Sequence, residues 1–557
     1  MGAARGLTDL TEREVGLFPE DEHLVPLEKG RSRRVGGWSG RRAWLVALVV
    51  AVVWALWSAG VGRRALVNPG GWTLMSRFWK AAVHPELSGA FLRTTWSATW
   101  TTIAFAVLGA ALSVVIGCIG GVLTSETWWR RSRPGRAGAA HGVRPGWFAG
   151  RVLFGLPRGV HEAVWGLFLV HVLGRDPMVG VLAIAIPFGA ITAKVYSELI
   201  DDSAQGPYDA LRAAGAGRLS ALVYAVFPRT LPDLVSYAFY RLECSVRSAV
   251  ILGMIGAGGL GFQLSLSFQS LRYGEMWTLI YALVIVSALA DLWGATLRRR
   301  GAPRLVRRSA AAGVVLVVAS VVHLGPDLGR LVAGRTRSLL ADLARDSWPP
   351  SLPAGGWAEL GRQAVDTVQM SLLAIALASS LAILVAFVAA RGGRTRARRL
   401  LATGARLLLL VTRAIPPPVW ALLVLFVLFP GPLPGAVALG IYNFGILGRL
   451  TGEVVENLDP RPEAALRAIG AGGAQAFAYG VVPVAFARFA AYSLYRWEVA
   501  VRETVVVGVV GAGGLGRLLE QQRAAFDFNG MLGTVVALIV VSLVVDGISA
   551  WARRSLR

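Results

Sequence analysis

Residues 210–217 read ALRAAGAG and residues 465–472 read ALRAIGAG, an offset of 255 positions. The same offset relates Pro228 to Pro483, Tyr240 to Tyr495, Arg241 to Arg496, Glu243 to Glu498 and Arg247 to Arg502. GAGGLG at 256–261 returns at 511–516. Upstream, Arg158 matches Arg413, Val164-Trp165 matches Val419-Trp420, Pro177 matches Pro432 and Glu198 matches Glu453. Chance does not keep so many identities in one register, so the chain carries an internal duplication.

The surroundings of the repeat set its solvent. Of 557 residues, 55% are hydrophobic and 16% charged, with a mean hydropathy of +0.55. Apolar runs of about 20 residues match a hydrocarbon core roughly 30 Å thick. The expected fold class is an all-α polytopic membrane protein with about twelve transmembrane helices. The expected spans are 43–61, 95–123, 152–173, 178–200, 221–255 and 276–296, then 309–324, 366–390, 403–429, 433–449, 476–510 and 530–551. The runs from 221 and 476 are long and contain Pro228 and Pro483, so each is expected to break and to begin with an interfacial helix. The domains are expected at 1–42 (a basic cytoplasmic tail), 43–308 and 309–557. Six spans separate matched points. Six is even, so the copies run parallel, related by an axis along the membrane normal.

The formal charge is +24. Arginines cluster beside the spans rather than along a groove, which argues against a nucleic-acid partner and for anchoring at a lipid surface. Arg31, Arg33, Arg34, Arg41 and Arg42 precede the first span, and Arg130, Arg131, Arg133 and Arg136 follow the second. Further clusters run from Arg298 to Arg308, from Arg391 to Arg399 and from Arg553 to Arg557. With twelve spans all five fall on one side, the cytoplasm by the positive-inside rule, which places both termini there. Arg63-Arg64 runs against the trend. The polar stretch 1–42 is not expected to be a cleavable signal peptide. Cys118 and Cys244 read as small buried residues, with neither disulfide nor metal spacing.

Three motifs recur in both copies. The first is a short Ala-rich helix opened by Pro and closed by Gly, Pro207 to Gly215 and Pro462 to Gly470, on the cytoplasmic side. The second is Tyr-Arg-x-Glu-x-x-x-Arg at 240–247 and 495–502. Ionisable groups at membrane depth are costly and point to function. Glu243–Arg247 and Glu498–Arg502 stand at i and i+4 and can pair, leaving Arg241 and Arg496 to attract an anion along a substrate pathway. A structural ion pair is the competing reading. The third is GAGGLG. Its G-x-G-x-x-G spacing would suit a dinucleotide, but it lies in an apolar span, not at a strand-to-helix turn. Gly256, Gly258 and Gly259, with Gly511, Gly513 and Gly514, are expected to break the helix and serve as a gate or cavity wall, against simple helix packing as the alternative. His161, Glu162 and His171 share one span without a useful ligand spacing, so no metal is expected.

Glu463-Ala464-Ala465, with Gly470 seven residues after Glu463, resembles the EAA loop of binding-protein-dependent ABC importer permeases. SLYRWEVAVRETVVVGVVGAGGLG at 493–516, with Arg413 and Pro416-Pro417-Pro418-Val419-Trp420, is similar to the phosphonate/phosphite branch. The likeness covers about 94–296 and 366–551. It implies a type I ABC importer permease fold, two permease units fused in one chain, and a cell-membrane location. It also implies two cytoplasmic ATP-binding subunits docked on coupling helices at Asp209, Ala210, Gly215, Glu463, Ala464, Ala465 and Gly470. An extracytoplasmic binding protein would deliver a small oxyanion such as phosphonate, phosphite or phosphate. The first copy departs from the pattern: Tyr208 stands where the acid belongs, and Asp209 is one position late. No Walker A sequence occurs, since no lysine follows a glycine. The chain is therefore expected to be no enzyme and to hold no cofactor. The competing class is a twelve-span secondary transporter without an ATPase, against which the paired loops argue. The spans at 43–61 and 309–324 are left unexplained by the motifs.

Overall fold

The computed structural model describes residues 38–129, 145–174, 176–300, 303–389 and 396–556. Most of the basic tail, Arg130–Arg136, Arg391 and Arg394 lie outside the described residues. The principal helices of the first half are α1 (Trp38–Ser58), α2 (Gly71–Ala81), α3 (Gly89–Thr124), α4 (Pro145–Gly159), α5 (Glu162–Leu173) and α6 (Met178–Asp202). They continue as α7 (Gly206–Ala213), α8 (Phe227–Leu252), α9 (Gly259–Gln269) and α10 (Tyr273–Arg300). The second half holds α11 (Pro303–Leu324), α12 (Gly334–Ser347), α13 (Gly356–Ala389), α14 (Arg396–Ala414), α15 (Pro417–Val427) and α16 (Pro432–Glu456). It ends with α17 (Arg461–Ala468), α18 (Val482–Val507), α19 (Gly514–Ala524) and α20 (Phe528–Leu556).

Among the described residues, seven helices are long and apolar enough to cross a membrane, or up to ten if each bent pair counts as one span. Every expected span falls on one helix or on two consecutive helices, but the count of twelve is not reached on length alone. The shortfall lies at the first and third. The described apolar part of α1 is Val46–Ser58, and α5 has only 12 residues. At 1.5 Å per residue α5 covers only about 18 Å, short of a hydrocarbon core, whereas the whole of α1, with 21 residues, reaches about 31 Å. Both long runs are broken, as expected, with bends of 56° and 54°. In the first, the helix continues past Pro228 and turns out at Gly256, just before it meets α9. The missing proline N–H is absorbed by a wide π-type turn at Leu222–Val226, and Phe477–Val481 make the same turn before Pro483.

Within each half the longest contact joins the second and fourth apolar segments, α3 with α6 and α13 with α16. Small residues allow the close approach. A methyl group on Gly117 would lie 2.3 Å from Thr192 Cγ2, and one on Gly440 2.8 Å from Leu377 Cδ2. The extra helices bind the halves together. α1 packs on α13 and α20, while α11 packs along α3. His323 of α11 meets the Thr101 hydroxyl at 3.2 Å. The strand-like segment after α1 reaches the end of α15, where Asn68 N–H donates to the Val427 carbonyl (2.7 Å) and Phe429 N–H to the Leu66 carbonyl (3.0 Å). A buried apolar cluster runs from Phe78, Met276 and Trp277 of the first half to Met370, Trp420 and Tyr442 of the second. The outer faces of α1, α10 and α11 expose Val49, Val53, Ile285, Leu289, Val315 and Val318, as lipid-facing helices do.

Candidate functional site

Both GAGGLG segments turn out of the helix through left-handed backbone. Gly256, Gly258 and Gly259 have φ of 119°, 110° and 74°, and Gly511, Gly513 and Gly514 have 105°, 99° and 72°. Side chains other than glycine rarely adopt such angles, so the sequence dictates the turn. Each new helix is capped from a neighbour. The Thr102 hydroxyl accepts the Leu260 N–H at 2.8 Å, and the Thr367 hydroxyl accepts the Leu515 N–H at 2.9 Å. The same hydroxyls donate back to the Ala98 and Gln363 carbonyls. The two threonines were not picked out from the sequence, because the offset there is 265 rather than 255 after a change in loop length.

The short helices α7 and α17 end alike. Gly215 and Gly470 both have φ of 90°. Beyond them, Ala216 N–H bonds to the Leu211 carbonyl and Ala471 N–H to the Leu466 carbonyl, both at 3.0 Å, closing a Schellman cap. Asp209, Ala210, Ala464 and Ala465 lie on these helices. The departure at Tyr208 has a packing reason. Its ring is 1% exposed and packs with Ile200, Leu222 and Val226, whereas α17 buries none of its residues. Glu463 is partly exposed and pairs with Arg467, one turn on.

The charged motif is where the halves diverge. Glu243 and Arg247 pair at 3.6 Å, but Glu498 and Arg502 do not pair with each other. Glu498 is held by Arg553, and Arg502 lies 3.8 Å from Asp546. Glu243 also faces Arg413 of the second half at 3.8 Å, and Arg413 closes tightly on Asp291. Arg247 Nη1 donates to the Tyr442 hydroxyl at 3.3 Å, a second link between halves. On the other side Arg158 lies within electrostatic reach of Arg502 and Asp546. Asp291 and Asp546, 255 positions apart, complete the two clusters. They were legible as a matched acid within a span, though the motif alone did not single them out.

Arg241 and Arg496, expected to be left over alike, are not alike. Arg496 is paired: Nε donates to Asn443 Oδ1 (2.8 Å), and Nη2 donates to Glu503 Oε1 and Oε2 (3.0 and 3.2 Å). Asn443 in turn donates to Glu503 (3.3 Å). At the matching positions the first half has Phe188 for Asn443 and Ser248 for Glu503. Among the described residues Arg241 forms no ion pair. It donates from Nε to the Tyr237 hydroxyl (2.9 Å) and from Nη2 to the same oxygen. Its guanidinium sits 5.0 Å from the Phe188 and Tyr237 ring centres and 5.6 Å from that of Tyr240. His161 caps α5 by accepting the Ala163 N–H (3.2 Å), and Glu162 accepts from Ser248 (2.6 Å).

The sequence profile of the family described as binding-protein-dependent transport system inner membrane component matches residues 140–307 and again 356–557. The chain belongs to this family, as a duplicated, multi-pass inner-membrane permease that does no catalysis itself. It is 29% identical to the phosphate-import permease protein PhnE of Mycolicibacterium smegmatis over 411 residues, 72% of this chain and 76% of that one. It is 32% identical to the phosphite transport system permease protein PtxC of Stutzerimonas stutzeri over 215 residues, 39% of this chain and 77% of that one. A putative cryptic phosphonate transport system permease protein of Escherichia coli, PhnE2, is 34% identical over 118 residues, 21% of this chain and 97% of that one.

Proposed function

We propose that this chain is the whole membrane channel of an ATP-driven importer for a small phosphorus oxyanion. The observation that carries the reading is a buried arginine without a carboxylate partner among the described residues, Arg241, on one of two matched helices of a duplicated permease. Guanidinium forks suit tetrahedral oxyanions, and the relatives' names speak of phosphate, phosphite and phosphonate transport. In this reading α4–α5 crosses as a bent span like its counterpart α14–α15. The two halves, 43–308 and 309–557, then make twelve parallel-related crossings of the type I importer kind, with both termini in the cytoplasm. α7 and α17 dock two ATP-binding subunits through Asp209, Ala210, Gly215, Glu463, Ala464, Ala465 and Gly470. A binding protein delivers the anion to the outer face. The pathway runs between α8 and α18, past Glu243, Arg247, Glu498 and Arg502, and the glycine turns at Gly256 and Gly511 act as gate elements. The test is uptake of labelled phosphate, phosphite and methylphosphonate by cells expressing the chain with its ATPase and binding protein. Accumulation of at least one, abolished by an ATPase-dead subunit, supports the reading; uptake of none defeats it.

A further inference from the structure

The two copies of Tyr-Arg-x-Glu-x-x-x-Arg look equivalent in sequence, but their environments differ in charge. Arg496 is answered by a bidentate carboxylate from Glu503, itself held by Asn443. Phe188 and Ser248 occupy those positions around Arg241, and among the described residues no carboxylate lies within 4 Å of it. Ser248, which stands where the second half has Glu503, donates to Glu162 at 2.6 Å. Arg241 is 9% exposed. A buried cation without a counter-charge is costly, and the cost falls when an anion arrives. Of the five N–H donors of a guanidinium, Tyr237 takes two, and among the described residues no hydrogen bond engages Nη1. Aromatic faces of Phe188, Tyr237 and Tyr240 hold the group in place. Further along the same motif, Arg247 bonds to the Tyr442 hydroxyl of the second half at 3.3 Å, so the motif lies where the halves meet.

We infer that the translocated anion is met by one guanidinium rather than two: Arg241 receives the oxyanion, and Arg496 is a structural cation locked to Glu503. The inference rests on the oxyanion reading above and assigns its binding group. It also predicts opposite responses to substitution. Arg241→Gln removes a charge that has no partner, so nothing charged is stranded and the complex assembles. Arg496→Gln strands Glu503, so the fair comparison is the double variant Arg496→Gln/Glu503→Gln.

The experiment measures uptake of labelled phosphate, phosphite and methylphosphonate by the full transporter, with the recovered ratio of permease to ATPase subunits as the control for assembly. R241Q should lower uptake by about tenfold to a hundredfold, the loss of one charge-assisted hydrogen bond. R241K, which keeps the charge without the fork, should recover part of it, a readout that a packing role would not give. The double variant should stay within about threefold of the unaltered protein. A double variant as impaired as R241Q overturns the one-sided assignment and leaves the oxyanion reading standing. Normal uptake by R241Q overturns the role of Arg241. If the unaltered transporter takes up none of the three anions, the oxyanion reading falls, and this assignment with it.

Discussion

Arg496 and Glu503 stand seven residues apart on α18 and bond through two oxygens at 3.0 and 3.2 Å. Removing one member of such a buried pair leaves the other charge uncompensated, which costs about 3–5 kcal/mol. R496Q and E503Q should each lower the thermal midpoint of the purified protein, and the double variant should recover most of the loss. Equal melting of all three proteins would mean the pair is solvated. The threonine caps give a second expectation. Thr102→Val and Thr367→Val each leave a buried N–H at the start of α9 or α19 without its acceptor, at about 1–3 kcal/mol. Differential scanning fluorimetry of the two single variants checks it; no shift in either would show that another group caps the turn. At this scale the residue types were legible and their partners were not. Glu243 and Arg247 are local at i and i+4, and they meet. Glu498 is drawn instead to Arg553, a contact across 55 positions that no spacing rule reaches. Whether Arg241 or Arg496 stays unpaired depends on Ser248 against Glu503 two turns along the same helix and on Phe188 against Asn443 in another.

At the scale of single elements, α7 and α17 share a length, a proline start and a glycine stop, and each was legible from those residues. Their difference follows from one side chain. Tyr208 is buried beneath α7, so placing the family's acid there would not restore a docking motif. Tyr208→Glu should destabilise the protein by about 3 kcal/mol or more, since it removes a packed ring and buries an unpaired carboxylate. Stable folding of that variant with raised uptake would contradict this account of the first loop. Gly470 has open space around it but a φ of 90°, so the obstacle to substitution is backbone geometry. Gly470→Val should unwind the cap at a cost of roughly 1–2 kcal/mol and uncouple ATP hydrolysis from uptake. Parallel assays of ATPase rate and uptake would test it; unchanged uptake would remove Gly470 from the coupling path. The breaks in the two long runs were legible at this scale, and the place of the first was not. Pro228 reads as a break, yet a wide turn preserves the helix, and the bend comes later, where glycines permit left-handed backbone.

Across the whole molecule, the duplication and the positions of the apolar segments were legible because both are periodic or repeated. The role of the extra segments was not. α1 and α11 each lie on the opposite half, and such exchange depends on contacts hundreds of residues apart. It also gives a reason for fusing two units in one chain, since each half covers apolar surface of the other. The account stands on the claim that one chain supplies both halves of the channel. Native mass spectrometry of the complex purified with its ATP-binding subunits tests this most directly. One copy of this chain with two ATP-binding subunits is the predicted composition. Two copies of this chain with two ATP-binding subunits would contradict it.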